Sequence, residues 1–254
     1  MRRIKLIVAY DGTNYCGWQL QPGKATIEAE LNRALSEFFK EEIAVTGASR
    51  TDSGVHALGN VAVFDIEHSI PADKICFAVN QYLPEDIRIQ SSVEVDGEFH
   101  PRRVVSRKTY EYHILNRRIV LPNERFYSTH IYYELDAQLM QQAAQYLVGE
   151  HDFKSFCSVK TQALETVRTI YAVRVTKADE KIIISVTGSG FLYNMVRIIA
   201  GTLIEVGRGA YSPMRMKDIL EGCDRSLAGP TAPPEGLMLM GIEYDSTGYV
   251  KTWL

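Results

Sequence analysis

Residues 3–9 alternate between apolar and polar positions and are rich in β-formers, which predicts a first strand. After a glycine-punctuated loop, Thr26 stands as an N-cap before Ile27, Leu31, Leu35 and Phe38, which share one helical face. A short strand follows at Ile43 to Thr46, then a loop over 47–58, then an apolar strand from Asn60 to Ile66. Pro71 occupies the first turn of a second helix bearing Ile75, Val79 and Tyr82, and Ile87 to Val95 reads as a strand.

The order is then repeated. Lys108 to Leu115 is a strand, and Asp136 caps a helix carrying Leu139, Met140, Ala143 and Leu147 that stops at Gly149. Val167 to Thr176 and Lys181 to Thr187 form a hairpin around Ala178-Asp179-Glu180. A helix from Tyr193 to Val206, a shorter one from Pro213 to Leu220 capped by Ser212, and a strand from Leu237 to Tyr244 complete it. The pattern predicts an α+β chain of two ferredoxin-like halves, each a split βαβ unit with an antiparallel sheet, forming a central cleft. The junction falls at His100-Pro101-Arg102-Arg103, giving halves 1–103 and 104–254. This rests on element order, because identity between the halves is too weak to constitute a repeat.

Composition narrows the class. Of 254 residues, 46% are hydrophobic and 23% charged, which excludes disordered and fibrous chains. The formal net charge of −3 shows no overall basic character that would announce a polyanionic partner. Cys16, Cys76, Cys157 and Cys223 are far apart with no Cys-x-x-Cys, so neither a zinc site nor a disulfide framework is expected, and a reducing cytoplasm fits. The N-terminus begins like a signal peptide, but Lys5 interrupts a very short apolar run, and it is read as a strand. The most apolar stretch, Phe191 to Val206, is broken by Asn194, Arg197 and Glu205, so no membrane span is expected.

Three segments carry candidate chemistry. Ala48 to His56 concentrates Arg50, Thr51, Asp52, Ser53 and His56 between two strands, a loop able to present the Asp52 carboxylate, although Asp-Ser-Gly is also ordinary turn chemistry. His56 reads as structural, since neighbours within one turn seldom adopt triad geometry and no Gly-x-Ser-x-Gly is present. Between Pro101 and Arg125 seven basic residues face Glu111 and Glu124, a local +5. Strand alternation there puts Tyr110, Tyr112 and Ile114 on one face, where aromatics beside cations can stack RNA bases or pack a core. Arg197 lies on an apolar helix face and calls for a carboxylate partner, for which Asp52 is a candidate. Gly188-Ser189-Gly190 lacks the third glycine and the parallel context of a dinucleotide turn, and no sequence motif supports a metal or cofactor.

Taken in order, these segments resemble the TruA-type tRNA pseudouridine synthase family over nearly the whole chain. The markers are Tyr10-Asp11-Gly12-Thr13 with Gly17-Trp18-Gln19, Ser49 to Ala57, Phe99-His100-Pro101-Arg102, and Lys108-Thr109-Tyr110-Glu111-Tyr112. They continue with Gly190 to Arg197, Gly201-Thr202-Leu203, Val206 to Gly209, Thr231-Ala232-Pro233 and Gly236-Leu237. The resemblance implies that Asp52 is the catalytic aspartate, Tyr110 the base-stacking tyrosine, Arg197 the partner of Asp52, and Arg50 an aid to nucleotide extrusion. It further implies a homodimer, without metal or cofactor, that isomerises uridine on the 3′ side of the tRNA anticodon stem and adjoining loop. The chain departs from the family pattern at Pro101-Arg102-Arg103, where a small residue and then an aromatic flank the first arginine more often.

The chemistry requires a base flipped out of the stack and retained while its glycosidic bond breaks and re-forms through carbon. Asp52 could attack C1′ or remove a sugar proton, and Tyr110 or a water could receive the C5 proton. Two other readings stand beside this one. A non-catalytic RNA-binding or chaperone protein would use the same sheets, and a glycosidase-like hydrolase would need a second carboxylate of suitable context. With basic residues around the cleft, tRNA affinity should fall steeply with salt despite the acidic total, through counterion release. A binding series over salt concentration checks this, and a flat profile contradicts it.

Overall fold

The computed structural model describes residues 1–158 and 165–244. The chain divides into two compact units, Met1–Ser106 with Leu239–Leu254, and Arg107–Met238. The architecture is mixed α+β, with mostly antiparallel strands and few helices. Among the described residues no helix is long and apolar enough to cross a membrane.

The first unit contains β1 (Arg2–Tyr10), α1 (Ile27–Phe39), β2 (Thr46–Gly47), β3 (His56–Ile66), α2 (Ala72–Val79) and β4 (Ile87–Val95). Its strands run in the order β4-β1-β3-β2, each antiparallel to its neighbour. Ile4, Leu6 and Val8 alternate onto one face of β1 and are fully buried, as are Ile27, Leu31 and Leu35 of α1. Thr26 caps α1, its hydroxyl accepting the Ala29 N–H. The strand expected at Ile43 to Thr46 shrinks to Thr46–Gly47. The Ile43 and Val45 N–H groups instead donate to Ser36 Oγ and Asn32 Oδ1 of α1, at 2.8 and 2.9 Å, so the segment is tied to the helix rather than to a ladder. Strand β3 starts earlier than expected, at His56. Helix α2 ends at Val79, which leaves Tyr82 outside it, with its ring 5.9 Å from that of Phe38.

The second unit follows with β5 (Ser106–Asn116), β6 (Thr129–Ile131), α3 (Ala137–Ala144), β7 (Gly149–Asp152), β8 (Val167–Ala178), β9 (Lys181–Gly188), α4 (Met195–Gly207) and α5 (Arg215–Gly222). Its strands run β5-β9-β8-β7, all antiparallel, and β6 lies parallel beside β5. Asp136 caps α3, its Oδ1 accepting the N–H groups of Gln138 and Leu139. The hairpin turns at Asp179, whose φ of 51° is left-handed. Strands β6 and β7 have no counterpart in the hydrophobic pattern, since only one of their seven residues, Thr129, is buried. A last strand, β10 (Leu237–Tyr244), neighbours β3, and the division accordingly groups residues from Leu239 with the first unit, whereas the 1–103 and 104–254 partition places them in the second half.

Helix α4 is buried along its whole length apart from half-buried Arg197. A segment around Pro230 lies directly on it. The Gly229 N–H donates to Thr202 Oγ1 at 3.0 Å, and the Ala232 N–H to the Arg197 carbonyl at 3.1 Å. A Cβ on Gly201 would stand 1.9 Å from the Pro230 carbonyl oxygen, a clash between two backbones that no rotamer can relieve. Gly201→Ala should therefore cost about 3 kcal/mol, at the upper end of overpacking penalties. Gly241→Ala, with nothing within 4 Å of the new methyl, should stay within about 0.5 kcal/mol of the parent. Urea midpoints at unchanged m-value measure both.

Candidate active site

The loop between β2 and β3 is held at nearly every residue. The Ala48 N–H donates to the Val61 carbonyl (2.7 Å), and Asn60 Nδ2 donates to the Ser49 carbonyl (3.0 Å). Thr51 accepts the Trp18 N–H on its carbonyl (3.0 Å) and shares a hydrogen bond with the Tyr10 hydroxyl (2.8 Å). Ser49, Thr51, Tyr10 and Asn60 are all buried, so these polar groups are satisfied by one another in a dry setting. Beyond Asp52, the Ser53 hydroxyl and the Gly54 N–H both donate to the Tyr15 carbonyl, and the Val55 N–H closes a turn onto the Asp52 carbonyl. The half-buried Asp52 carboxylate thus stands on a backbone fixed on both sides.

The segment running from Tyr10 to Trp18 forms the floor of this loop. A Cβ on Gly12 would meet the Val55 carbonyl oxygen at 2.0 Å, and one on Gly17, at φ 87°, would meet that of Thr51 at 2.5 Å. Two backbones touch here, which explains why glycine occupies both positions. His56 locks the same junction. Its ring is 2% exposed, and its Nδ1 accepts the Gly12 N–H at 3.1 Å, with Asp11 Oδ1 also 3.1 Å away. The imidazole is a brace between loop and floor. Arg50 is exposed on the loop, and Arg102 reaches its start, with Nε donating to the Gly47 carbonyl at 2.7 Å.

In the second unit, Tyr110, Tyr112 and Ile114 share a face of β5, opposite Val186, Ile184 and Ile182 of β9. Tyr112 is a core residue. Its hydroxyl bonds Thr129 Oγ1 and donates to the Pro233 carbonyl, and burial pushes its pKa well above the usual phenol value. Tyr110 stands at the end of this row, 7% exposed, with Phe191 packed edge-on at 5.2 Å. Phe191 leads into α4, whose first turn presents Arg197. That guanidinium is clamped twice, Nε donating to the Ala232 carbonyl (2.8 Å) and Nη1 to Asn194 Oδ1 (2.9 Å). Asn194 is itself held by donating to Ser158 Oγ (2.8 Å) and sits at φ 61°.

Phe191 and Asn194 lie within the Gly190 to Arg197 marker without a role of their own there, and the structure packs them against Tyr110 and Arg197. The available signal for Asn194 was its place just before an apolar helix, because asparagine is among the few non-glycine residues at ease in the left-handed region. The basic stretch 101–125 is also not one surface. Arg107 and Arg117 lie near opposite ends of β5, about 30 Å apart at strand rise. At the far end Arg117 pairs with Glu180 and Lys181 with Glu124. Among the described residues no three His, Cys, Asp or Glu side chains form a group that could hold a metal ion.

Residues 6–102 and 143–245 match the family model described as tRNA pseudouridine synthase. A protein called tRNA pseudouridine synthase A from Brevibacillus brevis is 46% identical over 96% of this chain and 100% of its own length. Those of Ruminiclostridium cellulolyticum and Bacillus subtilis, under the same name, are 48% and 44% identical, again over 96% of this chain and 100% of theirs. Among solved structures, a Cbf5-Nop10-Gar1 complex covers 92% of this chain and 56% of its own at a TM-score of 0.30 and 11% identity, too slight a likeness to carry an argument. With a floor of glycines beneath Asp52, an edge-packed Tyr110 and relatives matched end to end, the chain belongs to the tRNA pseudouridine synthase family.

Proposed function

We propose that this protein isomerises uridine to pseudouridine in the anticodon stem-loop of tRNA, with Asp52 as the catalytic carboxylate. The observation that carries the assignment of Asp52 is its loop, in which Thr51, Ser53, Gly54 and Val55 are all bonded, so that the half-buried carboxylate is carried on a backbone fixed on both sides. Tyr110 stacks on the flipped uracil, supported from its edge by Phe191. Arg197 holds Asp52 ionised, a role that its clamping by Asn194 and Ala232 suits. Arg50 assists extrusion of the nucleotide.

The reaction is redox-neutral. The C1′–N1 bond breaks, the uracil turns, C1′ joins C5, and the C5 proton leaves as N1 gains one. Attack by Asp52 on C1′ and removal of a sugar proton by Asp52 both satisfy this balance. The reading also holds that the two halves are ferredoxin-like around a central cleft; the order β4-β1-β3-β2 supports the ferredoxin-like character of the first. It includes a homodimer working in the cytoplasm without metal or cofactor.

Asp52→Asn should abolish pseudouridine formation, read by mapping pseudouridines in tRNA after incubation, while tRNA affinity changes by no more than a few-fold. Retained turnover would sink the assignment, and release of free uracil would indicate a hydrolase. Asn194→Gly keeps the left-handed cap but loses both hydrogen bonds, so kcat should drop with tRNA affinity little changed. Asn194→Ala should match that drop and lose about 1 kcal/mol more in urea unfolding, from the strained backbone. Wild-type kcat in both variants would remove Asn194 from the positioning of Arg197.

A further inference from the structure

Arg50 and Arg102 come together at the loop that carries Asp52, far from each other in sequence. Among the described residues, Arg50 has no hydrogen bond or ion pair, and Arg102 uses only its Nε, leaving both terminal nitrogens uncommitted. The two cations feel one another. Partial burial and then the field of Arg50 lower the pKa of Arg102, and Glu28 opposes this without reversing it. Glu28 is itself engaged, its Oε2 accepting the Leu20 N–H at 2.7 Å. Two guanidinium groups at one loop, both with uncommitted terminal nitrogens, are left for an anion to bridge.

The anchor of this pair is rigid. Arg102 is bonded to the carbonyl of Gly47, a residue on which a Cβ would stand 2.4 Å from the buried Trp18 indole, so Gly47 cannot shift toward it. The next residue, Ala48, is bonded to β3, and Arg50 lies two residues before Asp52 on the same braced loop. An anion held by both arginines is therefore kept in register with the carboxylate. In an RNA substrate, extruding a nucleotide swings it about the phosphates on either side.

We propose that Arg50 and Arg102 together hold one backbone phosphate next to the extruded nucleotide. This rests on the proposed RNA-modifying function and adds to it a specific site and ligand. Arg102 does more than fasten the loop to its own side chain: the fork of its terminal nitrogens, pre-oriented by Gly47, meets two phosphate oxygens, and Arg50 closes over the other side.

The test uses anticodon stem-loop RNAs in which a single linkage is replaced, position by position, by an uncharged methylphosphonate. Wild type, Arg50→Ala, Arg102→Ala, Arg102→Lys and the double alanine variant are compared in binding. At one position the wild type should lose affinity several-fold and both alanine variants should lose nothing further. The slope of log affinity against log salt should fall by about 0.7 to 0.9 in each alanine variant, the value for one phosphate, and by no more in the double variant. Arg102→Lys should keep the slope and weaken binding several-fold.

A penalty that persists in both alanine variants at every linkage, or a slope that falls twice as far in the double variant, overturns the shared site. If Arg102→Ala does not fold, Arg102→Lys takes its place beside Arg50→Ala, whose side chain has no internal bond to lose, and an unchanged penalty at that linkage in both overturns the shared site. Pseudouridine formation by the wild type on unsubstituted tRNA is measured in parallel. Its absence refutes the proposed function, whereas its presence with unchanged slopes refutes only the arginine site.

Discussion

The backbone from Gly12 to Gly17 passes beneath the backbone from Thr51 to Val55 at a separation that leaves no room for a Cβ on either glycine. Much of the first unit's site depends on that contact. It puts the Tyr15 carbonyl within reach of Ser53 and Gly54, the Trp18 N–H within reach of Thr51, and the Gly12 N–H against His56. A loop resting on side chains would move with their rotamers. One resting on another backbone, with its own polar groups spent on that backbone, holds the Asp52 carboxylate on a fixed base.

The second unit solves the corresponding problem for a cation in a different way. Helix α4 is almost entirely buried, which fixes its axis, and the Pro230 segment lies so close that Gly201 and Gly229 carry no side chain. Burial of the helix alone would leave the long Arg197 side chain able to rotate. Two acceptors, the Ala232 carbonyl and Asn194 Oδ1, restrain it, and the left-handed Asn194 at the helix entrance supplies one of them without interrupting the helical hydrogen bonds that follow. The Ile198 N–H still reaches the Asn194 carbonyl at 2.9 Å. Cap and clamp are the same residue.

What could be read from the chain follows from which forces are local. Alternation placed Tyr110, Tyr112 and Ile114 on one buried face, and capping chemistry located the starts of α1 and α3, because both depend on neighbours a few residues away. The start of α4 was misplaced by two residues, since an apolar pattern continues through Tyr193 while the backbone at Asn194 does not. The segment from Ile43 to Thr46 reads as a strand because Ile43 and Val45 are apolar β-formers, but the N–H groups of those two residues are taken by Ser36 and Asn32, an assignment that only tertiary structure makes. The same holds for the site. The motifs point to Asp52 and Tyr110 as candidates, whereas the contact of Phe191 with Tyr110 arises only by packing on a strand distant in sequence.

Charge illustrates the limit most directly. Counting along the chain gathers Arg107 and Arg117 into one basic stretch, yet a strand is the conformation that separates ten residues furthest, and these two lie near opposite ends of β5. Arg50 and Arg102, about fifty residues apart in the chain, meet at one loop because Gly47, pressed against the Trp18 indole and three residues before Arg50, offers its carbonyl to Arg102. An electrostatic footprint for a polyanion is therefore set by which loops the glycine contacts bring together, and the acidic total is compatible with it because surface acids elsewhere are screened over roughly 8 to 10 Å at ordinary ionic strength. The glycines that fix the Asp52 loop thereby also fix where Arg102 meets it.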